Sequence, residues 1–560
     1  MTRRRMVLRP VLLLLLFLLG AAVCMAFADG VRCSGGAVRI VNGRLHNQAD
    51  GSSLTYECYC PLSATAEQPG PGVLLLPGNG ENGLFYAAEL ARRGAVVLIP
   101  EEYTTGEHGG AAAAYWLLSQ QPNVDGGRLA LCGEPEGCRS VAARYADTDI
   151  APKAVVLPWG STTGEETEAL SNMLLMQPEY GEKTGMAKDE LQWDTTFGSF
   201  ADGSAQRVEL ISTVPALAAH SAKGLAAALR WLKAAIGLNL TAPAGDQIAM
   251  VAEWLTLAAT LLVLCALVPL GELLLRLPGL CTVVQPLPSG DHLAGWGKRW
   301  GSALFFVLAA GASYPVMTWL GQKLPGQVFR IPAGNGFFAW YGLLAVVLLL
   351  ANRITCRRAR RRGRIINCYD MGLSSARWPE HIDLGLYLWS LLLAALGVGM
   401  IYGMNALFRW QFRLELQFVR PLFCRFTRAH AEQIGIYYPV ITLCYLVCSS
   451  RFLALNRTNQ AYLRGIRGFS GCWWRCFLVM AGSVLLALAG YAAAQLSGFG
   501  ADAFLGAVFG NSGGALLLEL LPQTLLFSLL GTACYRRTGT VVPGSFLIAA
   551  LSCWWILGKL

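Results

Sequence analysis

The sequence predicts an α/β domain with a mostly parallel sheet, followed by a polytopic membrane domain of about eight transmembrane helices. Three observations lead there. The 560-residue chain is 54% hydrophobic and only 14% charged, too apolar for one soluble enzyme. Its charge is divided: residues 30–245 hold 15 Lys/Arg against 23 Asp/Glu, a net of −8, and the remainder carries +18. Within 30–245 short apolar runs alternate with helical patterns, whereas beyond 246 uncharged runs reach the ~20 residues that a bilayer requires. The basic excess lies between those runs, which argues for lipid headgroups and membrane topology and against nucleic acid.

Arg3-Arg4-Arg5 precedes the apolar stretch Val11–Gly20, and Ala26-Phe27-Ala28 offers a cleavage site. Residues 1–29 therefore read as a signal peptide or an uncleaved signal anchor, and either one exports the segment after it. In residues 30–245, Ala37–Asn42 and Leu54–Cys60 alternate in polarity and read as an antiparallel edge hairpin. Buried-type strands come next at Val73–Pro77, Ala95–Pro100, Arg128–Cys132, Lys153–Pro158, Asn172–Gln177 and Arg207–Ile211. Helices are expected at Leu84–Arg93, Ala111–Gln120, Arg139–Tyr145 and Leu217–Ile236. This order predicts helices on both faces of the sheet. Of 17 cysteines, five fall here: Cys33, Cys58, Cys60, Cys132 and Cys138. Their spacing makes no four-ligand zinc site, and no metal or cofactor is expected. In an oxidising compartment Cys33 is a possible disulfide partner for Cys58 or Cys60.

The segment Leu129-Ala-Leu-Cys-Gly-Glu-Pro-Glu-Gly137 has the outline strand, glycine, three residues, glycine, helix. It resembles the nucleophile elbow of the α/β-hydrolase superfamily, whose motif is G-x-S-x-G. Here Gly133-Glu134-Pro135-Glu136-Gly137 puts proline where the serine would be. An elbow serine sits on a strained turn, expected at positive φ, and proline is locked near about −65°. The expectation is an ordinary strand-to-helix turn, with Pro135 at the first helical position and Glu134 and Glu136 at the positive end of the helix dipole.

The resemblance carries further. Leu76-Pro77-Gly78-Asn79-Gly80 looks like the turn that supplies one oxyanion-hole amide, without its histidine. Thr105–Gly109, with His108, resembles the G-H-G loop. Gln177–Glu182 falls at the triad acid, implying Glu179, with Glu182 second, and His220 falls at the triad histidine before the last helix. The degenerate triad is thus Pro135, Glu179 and His220. The short gap between Pro158 and Asn172 implies a lidless member, with Tyr180–Ala205 as an alternative cover. Ligands of such sheets bind beyond the carboxyl ends of the strands. There Asn79, Glu81, Glu101, Glu102, Glu134, Glu136, Glu179 and Glu182 make an acidic crevice, either a cation site or a solvated rim.

In residues 246–560, spans are expected at 248–275, 300–320, 334–351, 384–405, 434–455, 476–496, 514–534 and 540–558. Arg353–Arg364 holds seven arginines. It reads as a cytoplasmic positive-inside loop in which Arg357, Arg358, Arg360, Arg361 and Arg362 contact anionic lipid. Leu407–His430 alternates with period two over Phe408–Phe418 and reads as an extended interfacial segment, or else as an amphipathic helix. Its arginines would face the acidic domain. Glu272 lies near a helix end, and Glu519 lies deeper. No Gly-rich nucleotide loop and no H-E-x-x-H motif occurs.

The plan resembles membrane-anchored α/β-hydrolase-like proteins of bacteria. It implies a multi-pass plasma-membrane protein with residues 30–245 outside the cytoplasm. Its partners would be membrane lipids and an unknown small-molecule or protein ligand. The expected function is a catalytically degenerate binding, sensing or docking module. The alternatives are an active hydrolase of ester, lipid or peptide substrates with a relocated nucleophile (Ser140, Ser161 or Cys138), and a transporter whose exported domain captures substrate.

Overall fold

The computed structural model describes residues 3–46, 53–78, 83–101, 103–104, 109–158, 170–179, 194–213, 220–239, 242–287, 296–418, 420–421, 426–455, 466–497, 508 and 513–558. The chain forms two compact units. One is Ala21–Thr260 with Gln411–Pro421, and the other is Met1–Gly20, Leu261–Trp410 and Leu422–Leu560.

The first unit is built on a nine-stranded sheet. In chain order its elements are β1 (Val38–His46), β2 (Ser53–Pro61), β3 (Gly70–Leu76), α2 (Leu84–Arg92), β4 (Val96–Pro100), α3 (Gly110–Ser119), β5 (Val124–Gly133), α4 (Pro135–Tyr145), β6 (Ala154–Leu157), β7 (Met173–Pro178), β8 (Thr196–Phe197), β9 (Gln206–Ile211) and α5 (Ala222–Ile236). The α1 helix, Arg3–Arg32, precedes them. The strand order is β1-β2-β4-β3-β5-β6-β7-β9-β8. Strands β3 to β7 and β9 pair in parallel, while β1, β2 and β8 pair antiparallel.

The continuous apolar runs are explained by burial on both faces. Side chains alternate across a strand, so Val73 and Leu75 of β3 join one core with α2 and α5. Leu74 and Leu76 join a second core with α3 and α4. Chain order reverses at β3: β4 lies on one side of it and β5 on the other. The connections after β3 and β5 leave toward opposite faces, which opens a crevice between their carboxyl ends.

Expected and observed strands agree to within a few residues. Two differences are local. The α4 helix begins at Pro135 rather than Arg139, because proline suits the first helical position. The last helix begins at Ala222, where Ser221 caps it by accepting from the Gly224 amide at 3.3 Å. Residues 180–193 lie outside the described residues, and the remainder of that insertion is mostly turns, with the two-residue strand β8 at Thr196–Phe197.

A fully buried ion pair organises one end of this unit. Glu89 and Arg93, one turn apart on and just after α2, are 0% and 2% exposed and bond each other. Arg93 also donates to the Pro243 carbonyl at 3.0 Å and the Asp246 carbonyl at 2.8 Å. The second Glu89 oxygen accepts from the Ala249 amide at 2.8 Å. Ala249 opens α6, Ala249–Leu274, so a carboxylate from α2 caps its first turn. The end of α1 is held in the same unit. The Arg32 guanidinium bonds Asp29 at 3.0 Å and the Phe412 and Arg413 carbonyls at 2.9 and 3.2 Å, and the Asn42 amide oxygen accepts from Arg413 at 2.8 Å.

The second unit is helical: α7 (Trp296–Gly321), α8 (Pro332–Arg360), α9 (Leu384–Phe412), α10 (Arg428–Ser449), α11 (Ile466–Ser497), α12 (Gly513–Thr538) and α13 (Val542–Leu557). A π-helical turn, Ser450–Leu455, extends α10. Among the described residues, α1 and α6 to α12 are the eight helices long and apolar enough to cross a membrane. The expected last span is different. α13 has 16 residues, about 24 Å at 1.5 Å per residue, and it is wrapped by its neighbours, with Trp554 and Ile556 1% exposed.

Two sequence readings are corrected. The arginines from Arg353 to Arg360 are not in a loop, since α8 continues through Arg360; Arg361 and Arg362 come just after its end, and the side chains of Arg357, Arg358, Arg360, Arg361 and Arg362 are exposed. Leu407–Phe412 is the end of α9, not an extended segment. The chain turns at Arg413, φ +55°, and period two holds only beyond it. There Leu414 and Leu416 are buried and a hairpin pairs β10 (Gln417–Phe418) with β11 (Arg420–Pro421).

Removing one partner of a buried ion pair costs about 3–5 kcal/mol. Arg93→Ala is expected to destabilise the α/β unit by that amount. Thermal unfolding of the detergent-solubilised chain, read by protease resistance of residues 53–239, checks this. A loss below about 1 kcal/mol, the scale of a surface pair, contradicts it.

Candidate functional site

The crevice between β3 and β5 is shaped by one close approach. Gly133 has φ +152°, and a Cβ there would stand 2.1 Å from the Leu76 carbonyl oxygen. With no side chain, β5 runs against the end of β3, and the Glu134 amide donates to that same carbonyl at 2.9 Å. Glu134 then caps α4 with extended backbone, φ −67° and ψ 135°, and Pro135 takes the first helical position. Pro135 is buried. The turn is an ordinary strand-to-helix entry with its one left-handed residue at Gly133.

Tyr103, just beyond β4, closes the crevice. Its hydroxyl lies 3.0 Å from the Pro77 carbonyl and 3.1 Å from a Glu134 carboxylate oxygen, two acceptors that share its single proton. Its ring lies 3.2 Å from where a Cβ at Gly137 would stand. Burial, reinforced by the neighbouring Glu134 carboxylate, pushes the Tyr103 hydroxyl well above the usual tyrosine range, so it stays a neutral donor. Sequence reasoning passed over this residue. The signal was an aromatic two positions beyond Glu101, in a stretch otherwise read only for its acids.

The acidic residues do not converge as a group. Glu101 is exposed and turned toward the β2 edge, where its carboxylate accepts from the Thr55 hydroxyl at 2.6 Å. Glu134 faces Tyr103, and Glu136 is exposed. Asn79, Glu81, Glu102, His108 and Glu182 lie outside the described residues. Glu179 is exposed at the end of β7, where its amide donates to the Ile211 carbonyl of β9 at 2.9 Å. His220 is partly buried with its ring 6.0 Å from that of Phe85 on α2. Among the described residues no group of three metal-ligating side chains assembles.

The alternative nucleophiles are poorly placed. Cys138 is fully buried inside the α3–α4 core, and burial raises its thiol far above the usual range. Ser140 sits within α4, partly buried, and Ser161 lies outside the described residues. The conditional disulfide is not formed. Cys33, Cys58 and Cys60 are free. Cys58 and Cys60 sit on the α3–α4 face of β2, while Cys33 lies near Asp29 and Arg32. The two β2 sulfurs are 3.5 Å apart. The Cys58 thiol, as donor, holds Cys60 below the usual thiol range, with the Arg39 charge assisting and burial opposing.

Tyr59, Tyr103 and Tyr115 are all raised by burial. Each binds its proton more tightly when folded than when unfolded, where it ionises near pH ~10. Their contribution to stability is therefore complete below about pH 10 and declines as pH rises above it. Melting temperature is expected to fall between pH 9 and 11, more shallowly in Tyr103→Phe than in the wild type, while tyrosinate absorbance of the folded protein stays low. Parallel pH profiles of the two proteins contradict this.

No protein-family model matches the chain, and no curated protein does. Several solved structures are weakly similar to it. They include an S-formylglutathione hydrolase from Agrobacterium tumefaciens (14% identity, TM-score 0.25, covering 36% of this chain and 96% of that one). They also include an esterase from Pyrobaculum calidifontis (17% identity, TM-score 0.21, covering 30% and 73%). The chain spans 42% of the length of a hypothetical protein from Pseudomonas aeruginosa, at 20% identity and TM-score 0.18, covering 22% of this chain.

Proposed function

We propose that the α/β unit is an α/β-hydrolase-like module that has given up hydrolysis, and that it serves a membrane-embedded protein as a binding, sensing or docking module. The observation that carries this reading is the elbow itself. Pro135 stands at the first helical position and has no nucleophilic oxygen. The neighbouring crevice is closed by Tyr103 on Glu134 and Pro77. An oxyanion at this point would meet carboxylates where a competent site needs donors. The full burial of Cys138 supports the same reading.

Wild-type protein is expected not to react with serine-directed phosphonates. Pro135→Ser alone is expected to give little or no turnover. Adding Glu134→His and Glu136→Met, which removes the opposing carboxylates, is expected to exceed the single change. Labelling of contaminant-free wild type, with ester hydrolysis that disappears in His220→Ala, overturns the proposal in favour of a relocated nucleophile.

The sidedness we propose puts residues 30–245 outside the cytoplasm and the Arg353–Arg364 cluster inside. The N-terminal apolar helix and the positive-inside rule support it. In intact cells an impermeant thiol reagent is expected to label an engineered cysteine at Gly185 and to leave one at Gly363 untouched. Equal labelling contradicts the arrangement.

A further inference from the structure

The helical unit contains a buried cation for which the surrounding helices provide no counter-charge among the described residues. Arg451 lies on the π-helical turn that extends α10 and is 8% exposed. Its Nε donates to the Ser302 hydroxyl of α7 at 2.8 Å. One terminal nitrogen, Nη1, donates to the Asn352 side-chain oxygen at 2.9 Å and to the Thr355 hydroxyl at 3.3 Å, both on α8. The Thr355 hydroxyl donates to the Ala351 carbonyl at 2.8 Å, which leaves its oxygen as an acceptor for Arg451. Three neutral oxygens therefore orient the guanidinium. The other terminal nitrogen, Nη2, makes no bond to the described residues.

The sequence explains why no acid answers this charge. No Asp or Glu occurs between Asp291 and Asp370, a stretch that includes all of α7 and α8. None occurs between Glu432 and Asp502 either. Glu432, at the far end of α10, pairs with Arg330 and Arg428. The titratable groups that face Arg451 are the thiols of Cys356 and Cys448. An ionised residue within a membrane-spanning bundle marks a functional site by default, and π-helical turns within α-helices occur often at such sites. With Nε and both Nη1 protons engaged, the two N–H donors of Nη2 remain to bond an oxyanion.

We propose that Arg451, held by Ser302, Asn352 and Thr355, is a binding site for a phosphate-type oxyanion, either free or as the headgroup of an anionic lipid. Nη2 supplies the open donor edge. The neutral cage keeps the guanidinium positioned without cancelling its charge. The exposed arginines at the end of α8 lie outside the cage and raise the local concentration of anions.

The test uses the full chain, purified in detergent or placed in nanodiscs, and reads the melting temperature, which rises with any ligand that binds only the folded state. Inorganic phosphate is titrated against the detergent-solubilised protein. Separately, phosphatidylglycerol nanodiscs are compared with phosphatidylcholine nanodiscs. A rise with inorganic phosphate identifies a free-phosphate site, and a rise with phosphatidylglycerol alone identifies a lipid headgroup. In either case Arg451→Lys, which keeps the charge but cannot hold a donor nitrogen in place through Ser302, Asn352 and Thr355, is expected to retain less than about half of the shift, and Arg451→Gln none. The exposed pair Arg357→Gln/Arg358→Gln is expected to keep most of it. If Arg451→Gln does not fold, the lysine variant still decides. The proposal is overturned if neither ligand moves the wild type, if Arg451→Lys responds as the wild type does, or if the shift is lost with the α8 pair and kept in the Arg451 variants.

Discussion

The geometry of the α/β unit turns on the contact between Gly133 and the Leu76 carbonyl. The connections after β3 and β5 leave toward opposite faces, while the strands themselves stay paired as far as Leu76 and Gly133, with the β5 backbone pressed against β3. A side chain at 133 has no room. That approach fixes the amide of Glu134 on Leu76, sets the cap of α4, and leaves Pro135 as the first residue of an unstrained helix. The strained geometry that would lift a nucleophile into solvent is absent at 135, and the space near it is used by Tyr103.

Most of the sheet was legible in the sequence because burial on both faces produces unbroken apolar runs such as Gly72–Leu76 and Val96–Ile99. Gly94 and Gly133 punctuate those runs where φ turns positive. The short β8 left no trace, since Thr196 and Phe197 are exposed and make only an edge pairing. Asn172 was readable as a strand start but not as what it is, a residue at φ +43° whose side chain bridges Lys153, Phe200 and Ala205. The elbow substitution was fully legible, because proline constrains φ wherever it occurs. The acidic crevice was legible only as composition. Nothing in the spacing of Glu101 says that its carboxylate turns toward Thr55, and nothing in the spacing of Glu134 says that a tyrosine meets it.

In the helical half the existence of helices was more legible than their ends. Arginines normally stop a hydropathy count, so by hydropathy alone α8 ends at residue 351. The helix itself continues to Arg360, because arginine is a good helix former and suits a helix C-terminus. Alternation misleads in the other direction at Leu407–Phe412, where a helix end and the start of an extended segment share one apolar pattern. Arg451 is hidden in the sequence for a simpler reason: a single arginine beside Ser449 and Ser450 looks like an interface residue until its three acceptors are seen.

The cap that Glu89 places on Ala249 bears on how separable the two halves of this protein are. A boundary drawn in the Pro/Gly-containing stretch near residue 245 looks like a place to cut. Yet Pro243, Asp246 and Ala249 supply two acceptors and a donor to the most deeply buried ion pair of the α/β core, and Ala249 itself is counted among the buried residues of that core. A fragment ending at Gly245 would expose the α2 pair to water on one side and strip it of two of its bonds. The excisable module therefore reaches into the first turn of α6, and the polar core of the α/β half is completed by residues that begin a membrane-length helix.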